Sequence, residues 1–158
     1  MQDRGLAAYI AELIGTLLLT FAIGMVVSLF VATGASSATG SDFAVVGLVQ
    51  GLSLFFLIMV FGPVSGGHFN PAVTVAAAAL RRIDPIDAVV YILAQLSGGV
   101  LGALLVKALI LDEGRASHYG AGQVSSLLGS PAAGAIVEGL GAMSVSYTHL
   151  TLPTKRIV

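Results

Sequence analysis

Cysteine is missing from this chain of 158 residues, and charged side chains account for only 9% of it. Without cysteine, disulfide bonds and thiolate metal sites are excluded. A soluble globular domain carries roughly 25% charged residues. The shortage of charge, combined with an apolar fraction of 56%, therefore indicates a membrane protein. The net charge of −1 offers no basic field to a nucleic acid, so no nucleic-acid partner is predicted.

Catalytic patterns are also missing from the sequence. It contains no nucleophile paired with a base, no metal-ligand spacing and no nucleotide-binding loop. No enzyme activity, no metal ion and no cofactor are therefore predicted. A cleavable signal peptide is not evident either, because the first apolar stretch is too long and lacks a clear cleavage site.

Three stretches are apolar over the ~20 residues that a spanning helix needs. They are Leu6 to about Ala32, Phe43–Phe61, and Asp87 to about Leu111. Gly62 and Pro63 are expected to end the second span. Small and polar residues predict a loop at Thr33–Asp42, and Gly and Ser predict another at Asp112–Pro131.

Pro71–Leu80 is too short to cross a bilayer. Ten residues at ~1.5 Å each cover about 15 Å, which is half of a ~30 Å hydrocarbon core. Asn70 is suited to cap this helix and Pro71 to its first position. A helix lying flat on the membrane would show a strongly charged face, and this one shows none, so a re-entrant half-helix is predicted. Non-helical backbone at membrane depth must be buried in protein or line a wet cavity, so Ser65–Thr74 marks where something polar passes or binds.

A second apolar segment, Ala132–Met143, begins a fourth span that stays short of full length. Glu138 and Gly141 have the same spacing as Glu12 and Gly15, and each pair lies early in its apolar segment. The two segments are expected to start on opposite sides of the membrane. That arrangement is typical of an inverted repeat.

Residues 144–158 break the apolar pattern, and Pro153, Lys155 and Arg156 would be costly inside a span. Their letters resemble translated sequencing-adapter read-through, so native sequence is predicted to stop near Met143–Ser144. A natural, short, water-exposed C-terminus is the alternative.

Ser65–Thr74 resembles the first Asn-Pro-Ala loop of the major intrinsic proteins, the aquaporins and glycerol channels. Ala11–Thr16 resembles the first-helix signature of that family, and Tyr91–Leu96 resembles its third helix. The resemblance implies an all-α, aquaporin-like membrane fold with three transmembrane helices, one re-entrant half-helix and the start of a fourth span. Residues 1–143 would then be the first repeat and the beginning of the second. A second Asn-Pro-Ala loop does not occur in this sequence.

The resemblance also implies roles for individual residues. The pore would be lined by the Asn70 side chain and by the carbonyls of Gly66, Gly67, His68 and Phe69. The loop would be supported by Glu12, Pro71 and Ala72, and Glu138 would support the second loop of the family. Three simpler readings stay open: Asn70 as a plain helix cap, His68 as a buried imidazole tied to backbone, and Glu12 as a solvated residue near the helix start.

Gln50 departs from the family pattern. Counting back twenty residues from Asn70 reaches the second-helix position of the family's aromatic/Arg constriction. By the resemblance, the strict water channels of the family have Phe at this position, and the glycerol channels have Trp. Gln is smaller than Trp and can both donate and accept, which predicts a wider, more polar filter. Alternatively, Gln50 faces another helix and holds it by hydrogen bonds.

The function predicted from these observations is a passive channel for water and small neutral solutes, inactive as a truncated copy alone. A broken-helix secondary transporter and a non-conducting membrane scaffold or fragment are the alternatives. The expected partners are the solute, the lipid bilayer and, by resemblance, three further copies in a homo-tetramer. Arg4, Arg81 and Arg82 on one side predict a plasma (inner) membrane protein with a cytoplasmic N-terminus.

Overall fold

A computed structural model describes residues 5–32, 41–121 and 130–151. Within these residues every element is helical and no strand occurs: α1 Leu6–Ala32, α2 Ser41–Ser65, α3 Pro71–Ala79, α4 Pro85–Leu109, α5 Leu111–Ala116, a 3-10 turn His118–Gly120 and α6 Pro131–Thr151. Three of the helices, α1, α2 and α4, are long and apolar enough to span a membrane. The predicted all-α membrane fold with three spans is confirmed.

The central element is α1, which packs against both α2 and α4. The end of α2 lies beside the start of α1, so these two helices are antiparallel. The start of α4 lies beside the start of α1, where the Tyr9 hydroxyl donates to Asp87 Oδ1 over 2.6 Å. Farther along, Gly24 lies against Val106, so α1 and α4 run parallel.

Close contact between α1 and α4 depends on two glycines of α4. A Cβ on Gly98 would lie 2.3 Å from the carbonyl oxygen of Leu13, and one on Gly102 would lie 2.5 Å from that of Leu17. The backbones therefore approach more closely than any larger residue allows, which is a common way for membrane helices to associate. Gly98 and Gly102 thus form a small-residue packing face on α4.

The short helix α3 enters the bundle and turns back. Its 9 residues cover about 14 Å, less than half of the hydrocarbon core. It starts beside Gly15, well inside α1, where the Phe69 ring lies. Its last turn packs at the end where α1 begins, in a cluster with members from α1, α3, the turn after α3 and the start of α4 (Ala8, Ala77, Ile83, Ala88 and Tyr91). The predicted re-entrant half-helix is confirmed, and it ends at Ala79.

Several predicted boundaries were wrong. Helix α2 continues through Gly62 and Pro63 to Ser65. A proline so near a helix end removes only one hydrogen bond of the ladder, and the Gly66 N–H still bonds to the Gly62 carbonyl over 2.8 Å. Helix α4 begins at Pro85 and ends at Leu109. Its N-cap is Asp84, whose side chain accepts from the Ile86 N–H.

The loop predicted at Asp112–Pro131 is partly helical. Helix α5 and the 3-10 turn occupy 111–120, and Ser117 Oγ donates to the buried Ser28 Oγ of α1 over 2.8 Å. Docking on α1 orders this segment, and its Gly/Ser composition gave no sign of that contact.

The helix at the start of the predicted fourth span, α6, continues to Thr151. Its apolar part is only Pro131–Val145, which is shorter than a full span, as predicted. Other predictions concern residues outside the described ranges. They include Arg4, most of the Thr33–Asp42 loop, and Pro153, Lys155 and Arg156 of the tail.

Candidate functional site

The backbone between α2 and α3 turns sharply through the left-handed region. Gly66 and Gly67 have φ values of 92° and 66°, and Phe69 has a φ of 46°. Two of these positions need the freedom that glycine provides. Phe69 has a Cβ, so its conformation must be enforced by contacts elsewhere. Gly66 and Gly67 therefore supply the backbone geometry that this turn requires.

The carboxylate that enforces this turn is Glu12, which is fully buried in α1. Its Oε1 accepts the N–H of His68 over 2.9 Å, and its Oε2 accepts the N–H of Phe69 over 2.7 Å. The Ser65 hydroxyl donates to Oε1 over 2.6 Å, and Gln95 Nε2 donates to Oε2 over 2.7 Å. Four donors from three segments thus converge on one carboxylate, as a buried charge requires.

Gln95 extends this network from Glu12 to the half-helix. Its side chain is fully buried, and its Nε2 also donates to Thr74 Oγ1 over 2.9 Å. The Thr74 hydroxyl in turn donates to the Asn70 carbonyl over 3.2 Å. Among the described residues, Gln95 Oε1 is buried without a hydrogen-bond partner. The amide is therefore fixed by its two donor contacts, which link α1, α3 and α4.

His68 and Tyr91 complete the contacts of the loop. His68 Nδ1 lies 3.0 Å from Thr74 Oγ1, and the imidazole meets the Tyr91 ring edge-on at 5.3 Å between centroids. The fully buried Tyr91 donates its hydroxyl to the Ser65 carbonyl over 2.8 Å. The imidazole thus contacts the side chains of Thr74 and Tyr91.

The side chain of Phe69 is packed inside the bundle. It is only 3% exposed, and its ring meets that of Phe61 edge-on at 6.3 Å. It also lies against Gly15, which leaves the space the ring needs. These contacts fix the ring in the interior of the bundle.

Asn70 begins α3 as its N-cap. Its Oδ1 accepts the Ala72 N–H over 2.8 Å, and Pro71 occupies the first position of the helix. The Oδ1 contact is the one that a plain helix cap would make. The Nδ2 group of the half-exposed Asn70 has no hydrogen-bond partner in the described part of the chain. One end of the amide is therefore used by the protein, and the other end remains to donate.

Two predicted site residues lie apart from this cluster. Gln50 is exposed on α2, and no described residue of another helix forms a hydrogen bond with it. Glu138 is exposed on α6, and a Cβ on the nearby Gly141 would meet open space. The structure brings together Glu12 and the residues from Gly66 to Ala72, but neither Gln50 nor Glu138 joins them.

Sequence reasoning missed four residues that hold the loop: Ser65, Thr74, Tyr91 and Gln95. Each carries a polar atom within or beside an apolar stretch, and Gln95 is a strongly polar residue in the middle of a span. Polar residues inside spans usually have a partner on another helix. This rule could have marked Gln95 as a residue with a partner on another helix, but it does not identify that partner.

The fold and loop define a polytopic membrane protein whose re-entrant half-helix is held by a buried carboxylate. The chain belongs to the major intrinsic protein family, whose model matches residues 2–156.

Curated relatives support this assignment. The chain is 38% identical over 102 residues to a protein named glycerol uptake facilitator protein-like 6 of Lactiplantibacillus plantarum, covering 65% of this chain and 43% of that protein. It is 35% identical over 120 residues to probable aquaporin PIP2-6 of Oryza sativa, covering 75% and 43%. It is 41% identical over 97 residues to Aquaporin Z of Photorhabdus laumondii, covering 61% and 40%. The chain thus spans about two fifths of the length of these relatives.

Proposed function

We propose that residues 1–143 form the first repeat of a passive channel for water and small neutral solutes, together with the beginning of its second repeat. The observation that carries the proposal is the geometry of Asn70. One end of its amide caps α3, while Nδ2 has no partner among the described residues. A donor fixed at the tip of a half-helix can hold the oxygen of a passing neutral molecule without binding it permanently.

The electrostatics of α3 favour neutral solutes. The N–H groups and dipole at a helix N-terminus give partial positive charge, here at the start of the half-helix beside Asn70. Oriented half-helix dipoles oppose cations and protons. Carbonyl groups of Gly66, Gly67, His68 and Phe69 are the proposed acceptors along the path.

A transporter coupled to ions would need a free carboxylate near the middle of the membrane. Glu12 is the described carboxylate at the loop, and its two oxygens already accept four hydrogen bonds. Its proposed role is to shape the loop, so the channel is favoured over the transporter. Glu138 is proposed to act in the same way on a second loop, and a complete pore to require that loop.

Gln50 is proposed as a pore-lining residue that widens the filter and makes it more polar. Its exposure on α2, away from hydrogen-bond partners in the described helices, fits a side chain that faces a lumen. The selectivity then extends beyond water to a small polar solute such as urea.

The membrane context follows from charge and resemblance. We propose a plasma (inner) membrane location with the N-terminus in the cytoplasm and a homo-tetramer of the complete channel. The turn that carries Arg81 and Arg82 lies at the end of the bundle where α1 begins, which suits the preference of Arg for the cytoplasmic side. Residues 144–158 are proposed to be non-native, on the sequence argument from Pro153, Lys155 and Arg156.

The test joins residues 1–143 to the complementary C-terminal part of Photorhabdus Aquaporin Z, with the junction aligned so that no segment is duplicated. Proteoliposomes carrying this chimera are expected to swell faster than protein-free vesicles in stopped-flow light scattering, without ion current. The 158-residue chain alone is expected to match protein-free vesicles.

Asn70→Asp isolates the proposed role of the amide. Asp caps a helix as well as Asn does, but it lacks the Nδ2 donor and adds a negative charge. The substitution is expected to lower water permeability of the chimera while its helical content stays unchanged. Unchanged permeability would reduce Asn70 to a cap, and a proton current through the unsubstituted chimera would contradict the channel proposal.

A further inference from the structure

A groove of about 430 Å³ lies outside the re-entrant loop, between α1, α4 and the 3-10 turn. Its walls are mostly apolar, with Ile23 from α1 and Val100, Ala103 and Leu104 from α4. Small-molecule sites are commonly concave, largely apolar and of this size. Because α1 and α4 both span the membrane, these walls are at the depth of lipid chains.

One cation lies at the mouth of the groove. Lys107 is exposed in the last turn of α4, and its Nζ is 5.9 Å from the centre of the Tyr119 ring. No carboxylate of the described residues forms an ion pair with it. The neighbouring Asp112 pairs with Arg115 instead, at 3.8 Å. The groove therefore combines an apolar interior with a positive charge that none of the described carboxylates balances.

The wall opposite Lys107 is held tightly. His118, Tyr119 and Gly120 have φ values of 49°, 56° and 77°, a left-handed turn that non-glycine residues adopt only under constraint. A Cβ on Gly120 would lie 2.7 Å from Gly24 Cα, so the turn rests directly on α1. The 3-10 turn is thus packed closely against α1 at this side of the groove.

We propose that this groove binds an anionic phospholipid, with an acyl chain between α1 and α4 and the phosphate at Lys107. A lysine in the last turn of a span reaches the headgroup level with its ammonium group. An ammonium group in a pocket between transmembrane helices attracts an anionic headgroup by charge. The occupant must be apolar along most of its length and negatively charged at one end, and an anionic lipid meets both conditions. This binding is independent of the proposed channel function.

The test is native mass spectrometry of the full 158-residue chain in mild detergent. Phosphatidylglycerol or phosphatidylcholine with identical acyl chains is added in a titration. The first phosphatidylglycerol is expected to bind about fivefold more tightly than phosphatidylcholine, the factor that one basic residue near a membrane surface contributes. Lys107→Gln is expected to remove this preference.

Two further variants separate the charge from the groove. Arg115→Gln removes a cation at the same end of the bundle that already has an acidic partner, so lipid binding is expected to stay unchanged. Ala103→Trp fills the groove and is expected to weaken both lipids. Circular dichroism checks that each variant retains its helical content.

Three results would overturn the proposal. They are equal affinity of the unsubstituted chain for the two lipids, an unchanged preference in Lys107→Gln, and an equal loss in Arg115→Gln, which would indicate general surface charge. A dimer of the chain that forms at the expense of lipid binding, and that Ala103→Trp abolishes, would assign the groove to a second copy instead.

Discussion

The ring of Phe69 rests on Gly15, so closely that a Cβ at position 15 would lie 2.1 Å from Cε1 of the ring. Glu12, one helical turn earlier, accepts the N–H of the same Phe69. Residues three apart share a helix face, so one short stretch of α1 holds both the backbone and the side chain of Phe69. This double contact explains how a phenylalanine is kept at positive φ next to Asn70.

Gly15→Ala is expected to destabilise the protein by about 1–3 kcal/mol, the usual cost of overpacking a filled site. The added methyl group must displace a ring that is buried and fixed by its backbone. Gly51→Ala is the matched control, because a Cβ there meets nothing within 4 Å. In an exposed helix position it should be neutral or stabilising by up to ~1 kcal/mol. Unfolding in mixed detergent micelles, followed by circular dichroism, measures both; equal effects would show that the ring moves freely.

Glu12→Gln is expected to loosen the loop. The substitution replaces one carboxylate oxygen by an NH₂ group, which faces two donors and cannot accept from them. Two charge-assisted hydrogen bonds at about 1.5–3 kcal/mol each are then lost. Hydrogen exchange should report faster exchange at the His68 and Phe69 amides.

Glu138→Gln is the control for that substitution. Glu138 is exposed on α6 of the same chain, so its change should stay within about 0.5 kcal/mol. Unchanged protection of His68 and Phe69 in Glu12→Gln would mean that the left-handed turn is stable without the carboxylate.

The sequence predicted the elements whose signals are local. Span lengths, the cap at Asn70 and the brevity of α3 all follow from composition and helix geometry. Glu12 could be singled out because an ionisable residue inside a span is unusual. The partners that hold the loop could not be derived in this way, because Gln95 and Tyr91 come from a helix distant in sequence. Their roles depend on the register of α4 along α1.

The predicted helix boundaries were wrong where tertiary contacts outweigh the local preference of the sequence for a turn or a helix end. Pro63 predicts a helix end, yet α2 continues to Ser65, whose hydroxyl reaches Glu12 over 2.6 Å. Gly and Ser at 112–120 predict a loop, yet that segment is ordered by its contact with Ser28 and Gly24 of α1. Neither contact is visible in a window of neighbouring residues.

Gln95→Leu is expected to destabilise the protein by about 1–3 kcal/mol. It removes the donors to Glu12 and Thr74, one of them charge-assisted. Part of the loss is offset, because the buried Oε1 without a described partner disappears as well. Ser97→Ala, at an exposed position of the same helix, should change stability by less than about 0.5 kcal/mol. If the Gln95→Leu protein were as stable as the unsubstituted chain, the unpartnered Oε1 would destabilise the fold by as much as the two Nε2 hydrogen bonds stabilise it.

Gly98 and Gly99 are neighbours in sequence with different surroundings, and they offer a direct measure of helix packing. A Cβ on Gly98 would lie 2.3 Å from the Leu13 carbonyl oxygen, whereas one on Gly99 would be 3.8 Å from Thr20 Oγ1. Both gain the same helix propensity from alanine, so the difference between Gly98→Ala and Gly99→Ala isolates the cost of separating α1 from α4.

We expect Gly98→Ala to be less stable than Gly99→Ala by about 1–3 kcal/mol in the same unfolding assay, because backbone cannot give way as a flexible side chain can. The separation should also reach the loop, since Gln95 lies one turn before Gly98 and donates to Glu12. Exchange at the Phe69 amide should therefore rise in Gly98→Ala and stay unchanged in Gly99→Ala. Equal stability of the two variants would mean that α1 and α4 can cross at a greater distance without loss.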